Sequence, residues 1–356
     1  MALLFSEGWD AYTTTSDVTG SGKYKVFRTS NNGGPQLLSS SGKYGGKAIS
    51  SISVGYASAV RCDVNIASGA TFYIGGWWKC GLSGGKDSDF GYGGLVNIGL
   101  ASNGAQILDF DGNYLTLRNG TYTSTTPLAT GTTYLGDGYH WIEASIQING
   151  ASTKVTAYVD SILQFTGTYN YAQAAQAITQ LYVSTGKQAA NGAASYLDDF
   201  IIWDGSGTSF NTFPIGPRRI GLMNPNAAGD STQFTPSTVS ASNYSMVSLG
   251  VQSWAATTNV SDAGTGNSDL YKMSALQYTP ATTIDAVTVY VQATNPAADA
   301  AHSVTAKLKS AGTVATSAPQ TLVASNVLYS SVFPRDGAGN AWTLANLNAA
   351  QAGIGD

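Results

Sequence analysis

Between Lys47 and Asp204 the chain repeats one pattern, apolar stretches of five to ten residues separated by clusters of Gly, Asn, Asp and Ser. That spacing predicts short antiparallel strands closing into a sandwich or barrel. In the run from Trp141 to Ile148, Ile142, Ala144, Ile146 and Ile148 alternate with Glu143, Ser145 and Gln147, the pattern of a half-buried strand with its polar face in water. Lys154 to Tyr158 predicts the next strand, Val159-Asp160-Ser161 its turn, and Ile162 to Phe165 its return. Asp111-Gly112-Asn113 predicts a hairpin turn between Gln106–Phe110 and Tyr114–Leu117. Tyr196 to Trp203 ends in an unbroken apolar run, as a strand covered on both faces would. Ser58–Ile66 and Thr71–Cys80 read as a hairpin closed by Ala67-Ser68-Gly69-Ala70. That pairing sets Cys62 opposite Gly75 or Gly76, away from Cys80, and argues against a disulfide.

After Trp203 the pattern changes. Phe213-Pro214-Ile215-Gly216-Pro217-Arg218-Arg219 carries two prolines and reads as a semi-rigid linker, because proline fixes φ and removes a donor. Beyond it, Ala286 to Ala293 alternates with Val287, Val289 and Val291 on one face. His302 to Ser310 sets Val304, Ala306 and Leu308 inward and Lys307 and Lys309 outward. A helix is expected over Leu344 to Ala352, with Thr343 as N-cap and Gly353 as stop, and a weaker one over Ala172 to Thr179. The expected organisation is therefore a domain over residues 1–210, a linker over 211–219 and a smaller β-sandwich over 220–356.

Composition sharpens this picture. Of 356 residues only 11% are charged, and the acids are nineteen Asp against two Glu, Glu7 and Glu143. Asp, Gly and Ser concentrate in turns whereas Glu and Lys favour helices, so an all-β fold is expected. A net charge of −4 without a basic run argues against nucleic acid as a partner. No run of 18 apolar residues is present, which argues against a membrane-spanning helix. Met1 to Phe5 is too short for the apolar core of a signal peptide, so export by that route is not expected. Two thiols in the chain fit assembly in a reducing cytoplasm.

Several short segments occur in an order that resembles a known family: Phe5-Ser6-Glu7-Gly8-Trp9-Asp10, Gly42-Lys43-Tyr44-Gly45-Gly46-Lys47-Ala48, Phe72 to Trp78, His140-Trp141-Ile142-Glu143, Tyr158-Val159-Asp160 and Leu197-Asp198-Asp199-Phe200. Over roughly residues 1–205 they are similar to concanavalin A-like/laminin-G jelly-roll domains. The remainder, through Gly216-Pro217-Arg218-Arg219-Ile220, Asn224 to Asp230, Phe234-Thr235-Pro236-Ser237, Asn243 to Val247 and Ala341-Trp342-Thr343, resembles the C-terminal part of tailed-bacteriophage virion proteins. The resemblance implies a jelly roll joined to a smaller β domain, acting as an exterior capsid or tail component assembled in the bacterial host cytoplasm. Its expected partners are other virion proteins, major capsid or tail, in a homo-oligomer on the particle. A final strand is expected after the last helix, and Gly353-Ile354-Gly355-Asp356 reads as too short to form it, which leaves a truncated chain or a strand donated by a neighbour.

Candidate chemistry is sparse. Glycoside hydrolysis uses paired carboxylates, and the Glu-x-Asp-x-x-Glu arrangement is absent. Asp109 with Asp111, and Asp87 with Asp89, are explained by turns and solvated loops. Asp198 and Asp199, adjacent on a strand, should point to opposite faces. Closure of the sandwich explains them better than Ca²⁺, which takes six to eight oxygens. His140 and His302 fall in separate domains, and His140 is expected to pack beside Trp141. No cofactor, metal or catalytic residue is assigned, and no enzymatic role is expected. What remains is weak glycan binding: one of Trp77 and Trp78 should face outward, and with Tyr92 it could stack a sugar ring, although cover by a second sheet or a neighbour is favoured. Tyr169 and Tyr171 are a similar candidate. A carbohydrate-binding adhesin and a polysaccharide depolymerase are the competing readings.

Overall fold

The computed structural model describes residues 3–24, 27–28, 36–38, 40–50, 57–79, 96–98, 105–111, 113–120, 126–187, 194–206, 210, 212–248, 258–262, 266–276, 283–297 and 302–356. The fold is all-β and divides into two compact units. One comprises residues 1–10 and 24–220, the other residues 11–23 and 221–356.

The first unit is a sandwich of two antiparallel sheets. In one, the strand order is Ile162–Tyr169, Thr153–Val159, Tyr139–Gln147, Thr71–Lys79, Tyr196–Asp204, Ala48–Ser50 and Gln36–Leu38, with Leu3–Glu7 also pairing Tyr196–Asp204. The other runs Ala129–Thr130, Tyr114–Leu117, Ala105–Asp111, Val96–Ile98, Ile178–Lys187, Ala57–Ile66 and Phe27–Arg28. Alternation works as anticipated in Thr153–Val159, where Val155, Ala157 and Val159 are buried. Ile142, Ala144 and Ile146 are buried between the sheets. Asp160 and Ser161 adopt φ of 49° and 68°, the left-handed pair of a tight hairpin turn between Val159 and Ile162.

Local reading fails where the chain changes sheets. Ala57–Ile66 and Thr71–Lys79 are not a hairpin: the first pairs Ile178–Lys187, and the second lies between Tyr139–Gln147 and Tyr196–Asp204 in the opposite sheet. Each strand pairs with partners remote in sequence instead of with its neighbour. Cys62 therefore lies opposite Leu181 with its thiol buried, and Cys80 is outside the described residues. The Ala172–Thr179 segment forms no helix; Ile178 opens a strand. Alanine propensity alone does not outweigh the pairing of that strand with two neighbours.

Residues 212–220 and Phe210, expected as a semi-rigid linker over 211–219, form a strap packed on the first unit. Phe210, Phe213, Ile215 and Ile220 pack on Trp77, Trp141, Ile201 and Trp203, the outer face of the first sheet. Gly75 is what lets the indoles lie there, since a Cβ would come within 2.7 Å of Trp141 Cζ2.

The second unit is a smaller β domain. Pro225–Thr232, Ser268–Met273, Gln351–Gly355, Ser303–Ser310 and Thr313–Thr316 follow one another in a sheet, and Val287–Ala293 pairs Val327–Phe333. Val289, Val291, Val304, Ala306 and Leu308 meet Phe333, Trp342 and Leu347 in its core. Thr343 caps a helix of Leu344–Asn348, accepting from Asn346 N at 3.1 Å, and the helix ends earlier than its apolar spacing implies. The expected missing strand is present in the chain itself. Gln351–Gly355 pairs Ser268–Met273 on one side and Ser303–Ser310 on the other, so five residues suffice when both edges are hydrogen-bonded. Asp269, fully buried, holds this unit's entry by accepting from Gln233 N, Phe234 N, Asn243 Nδ2 and Tyr271 Oη.

Candidate functional site

Trp77 and Trp78 point to opposite faces, as consecutive strand residues must, yet neither is open to a sugar. Trp78 faces the core, and its Nε1 donates to Ser184 O of the opposite sheet at 2.8 Å. Trp77 lies under the strap at 6% exposure, and its Nε1 donates to Arg218 O. The cover is the chain's own strap, and not a second sheet or neighbour. Tyr171 is buried with its hydroxyl donating to Gln106 O, and burial pushes that hydroxyl up. Tyr169 is partly exposed and ends an edge strand. Tyr92, Asp87 and Asp89 lie outside the described residues.

Beneath the strap sits a group of carboxylates. Glu143, expected in water, is buried and accepts from Ile215 N at 2.9 Å and Gly216 N at 3.1 Å. Burial pushes its carboxyl above the ordinary range. A register shift between Asp198 and Ile201, with Asp199 at φ 46°, breaks the alternation that should have separated the two acids. Asp198 accepts from Lys43 N and Asp199 N, Asp199 from Ile220 N, and nearby Asp10 from Lys47 N. Burial, then the charge of Asp10, pushes Asp198 up to about 7; burial, then Asp198, holds Asp199 well above the usual range. Lys43 lies over Trp77 and Arg219 over the ring of Tyr44, which meets Trp77 edge-on. These acids fasten backbone to backbone. Among the described residues no group of three or more His, Cys, Asp or Glu is placed to hold a metal ion.

His140 does more than pack beside Trp141. Its Nδ1 lies 2.6 Å from Asp160 Oδ2, while Asp160 Oδ1 accepts from Trp141 N. Burial raises the Asp160 carboxyl, but these two bonds outweigh it and the net direction is downward. Asp109 is likewise more than a turn residue: Arg118 Nη2 lies 3.0 Å from Asp109 and 3.7 Å from Asp111, with Arg118 itself buried.

An exposed aromatic pair among the described residues of this unit was not singled out from the sequence. Tyr114 is 37% and Tyr134 57% exposed, with centroids 6.1 Å apart and planes at 76°. Their positions are fixed from below. Leu135, buried, donates from its backbone N to Asn113 O, which ties the Tyr134 loop to the turn preceding Tyr114. Gln164 Oε1 accepts from Thr132 N and Thr133 N, and its Nε2 donates to Thr133 Oγ1 and Ile162 O. Ile162 and Leu163, on the same strand as Gln164, are also exposed. The alternation Tyr114-Leu115-Thr116-Leu117 sets Tyr114 on the face opposite Leu115 and Leu117, but gives no sign that Tyr114 stays open while Thr116 on the same face is fully buried. Tyr134 carried none, because a loop aromatic has no periodicity to read.

Neither family models nor curated proteins match the chain. Among solved structures it is similar to the alginate lyase Aly36B, at 10% identity over 57% of this chain and 98% of that one, with a TM-score of 0.38. A sialidase gives 10% identity over 57% of this chain and only 19% of that one, TM-score 0.40. An endo-β-1,4-glucuronan lyase from the fungus Trichoderma reesei gives 14% identity over 51% and 91%, TM-score 0.32. Such values describe a likeness of β-sandwich architecture. The expectation of no enzymatic role is corrected to this extent: two of these structures are lyases, and the scarcity of Glu speaks only to Glu-based pairs.

Proposed function

We propose that the chain is a carbohydrate-binding β-sandwich protein whose contact surface is built on Tyr114 and Tyr134. The observation that carries this is a pair of exposed rings held in fixed geometry by buried backbone contacts. Tyr44, the other exposed tyrosine among the described residues of the unit, is engaged by Arg219 and Trp77 and closes the strap. Tyr114 and Tyr134 are engaged chiefly with each other, and their angle forms a notch in which one ring meets the face of a pyranose and the other its edge. Aromatic rings ordered in advance lose little conformational entropy on binding. The virion setting is a proposal resting on the sequence resemblance, with this surface turned to glycans and the chain held among capsid or tail proteins.

Isothermal titration of glycan-array hits against the purified chain and a Tyr114→Ala/Tyr134→Ala variant tests the proposal. Affinity should fall about tenfold or more, roughly 1.4 kcal/mol per tenfold, at unchanged melting temperature. Binding that survives the double substitution refutes the assignment. Following new chain ends in the same polysaccharide mixtures separates binding from cleavage. Copy number on purified particles tests the virion setting.

A further inference from the structure

The tyrosine notch has a chemical polarity. Asp111 is the cross-strand partner of Tyr114, and its side chain is 28% exposed, so a carboxylate stands beside the outer ring. The cation nearest in that hairpin, Arg118, is buried and shared between Asp109 and Asp111. Two carboxylates thus divide one guanidinium, and its charge is turned inward. The residue preceding Tyr114 adds an acceptor: Asn113 Oδ1 is buried with no hydrogen-bond partner among the described residues. An unmet acceptor is unfavourable until a donor reaches it. Asn113 as a whole is partly exposed.

We infer that the ligand of the Tyr114–Tyr134 notch is an uncharged, hydroxyl-rich glycan and not a uronate or sialate polymer. The inference rests on the proposed glycan binding and names its ligand class. Sugar hydroxyls donate to the part-exposed carboxylate of Asp111. A carboxylate-bearing sugar brings no donor at that group and meets Asp111, whose ion-pair partner Arg118 is buried and shared with Asp109. One unit charge at ~6 Å through water changes affinity about threefold, and more where the ring excludes solvent.

The test titrates the full chain with size-matched hexasaccharide pairs that share ring and linkage, glucose with glucuronate, mannose with mannuronate and galactose with galacturonate. Expected is tighter binding of the neutral member by about threefold or more, and a neutral-to-uronate ratio that narrows about threefold in Asp111→Asn. Melting curves and circular dichroism establish that Asp111→Asn is folded. Should it unfold, the salt dependence of wild-type binding replaces it, and uronate binding weakened by salt would then overturn the inference, since repulsion predicts the reverse. Uronates bound as tightly as neutral sugars or tighter, in a manner abolished by Tyr114→Ala/Tyr134→Ala, overturn the ligand class and leave glycan binding standing. No binding of any probe at millimolar concentration overturns both.

Discussion

Replacing Asp198 with Asn should flatten the dependence of first-unit stability on pH. In the folded chain burial and Asp10 push the Asp198 carboxyl up to about 7, while an unfolded Asp titrates near 3.9. Because the folded value is the higher one, the folded state binds the extra proton between those limits. Asp198 therefore contributes stability that is fully present below about pH 4 and lost as pH rises through about 7. Between pH 5 and pH 8 the loss is about 2–3 kcal/mol, a tenfold difference in proton affinity between the folded and unfolded chain being worth about 1.4 kcal/mol. Asp10, Asp199, Lys43, Arg219, Tyr44 and Tyr139 surround the group, and Asp199, raised in the same direction, steepens the effect. Asn can satisfy only one of the two N–H groups, from Lys43 and Asp199, that the carboxylate now accepts, so absolute stability falls by about 1–3 kcal/mol and the slope is the informative quantity. Urea unfolding followed by tryptophan fluorescence at several pH values measures it. Equal slopes for wild type and Asp198→Asn would refute the account, as would stability that rises between pH 5 and pH 8.

Trp78→Ala removes a core indole together with its bond to the opposite sheet, and should lower unfolding free energy by about 3–5 kcal/mol in the same assay. Glu143→Ala leaves the Ile215 and Gly216 amides without their acceptor; hydrogen exchange at those two amides should accelerate at least about tenfold, while amides of the sheet interior stay protected. Gly353→Ala places a Cβ 1.9 Å from Asp269 O in the centre of the second unit's sheet, and should destabilise that unit by at least about 1–3 kcal/mol. A calorimetric scan that shows no lowered transition would contradict this.

Strands such as Tyr139–Gln147, Val287–Ala293 and Ser303–Ser310 were legible because alternation is a local property that burial on one face enforces. The turn at Asp160-Ser161 was legible for the same reason, its residue types matching its geometry. Pairing was not: no local signal says that Ala57–Ile66 crosses to Ile178–Lys187, because partner choice is decided by hydrogen bonds and packing more than a hundred residues away. Glu143 was misplaced, and the cover over Trp77 misassigned, by one cause. Alternation assigns a face but not what covers it, and only the folded strap reveals that the outer face is a second interior.

By itself the sequence determined an all-β chain, low in charge and poor in Glu, because composition and two-residue periodicity act residue by residue. The tertiary structure alone decided which aromatics meet solvent. Trp77 and Trp78 are withdrawn by the strap and the opposite sheet, whereas Tyr114 and Tyr134, far apart in sequence pattern, are brought to 6.1 Å by a buried leucine and a glutamine clamp. Exposure is a property of what else packs nearby, and that is written only in the fold.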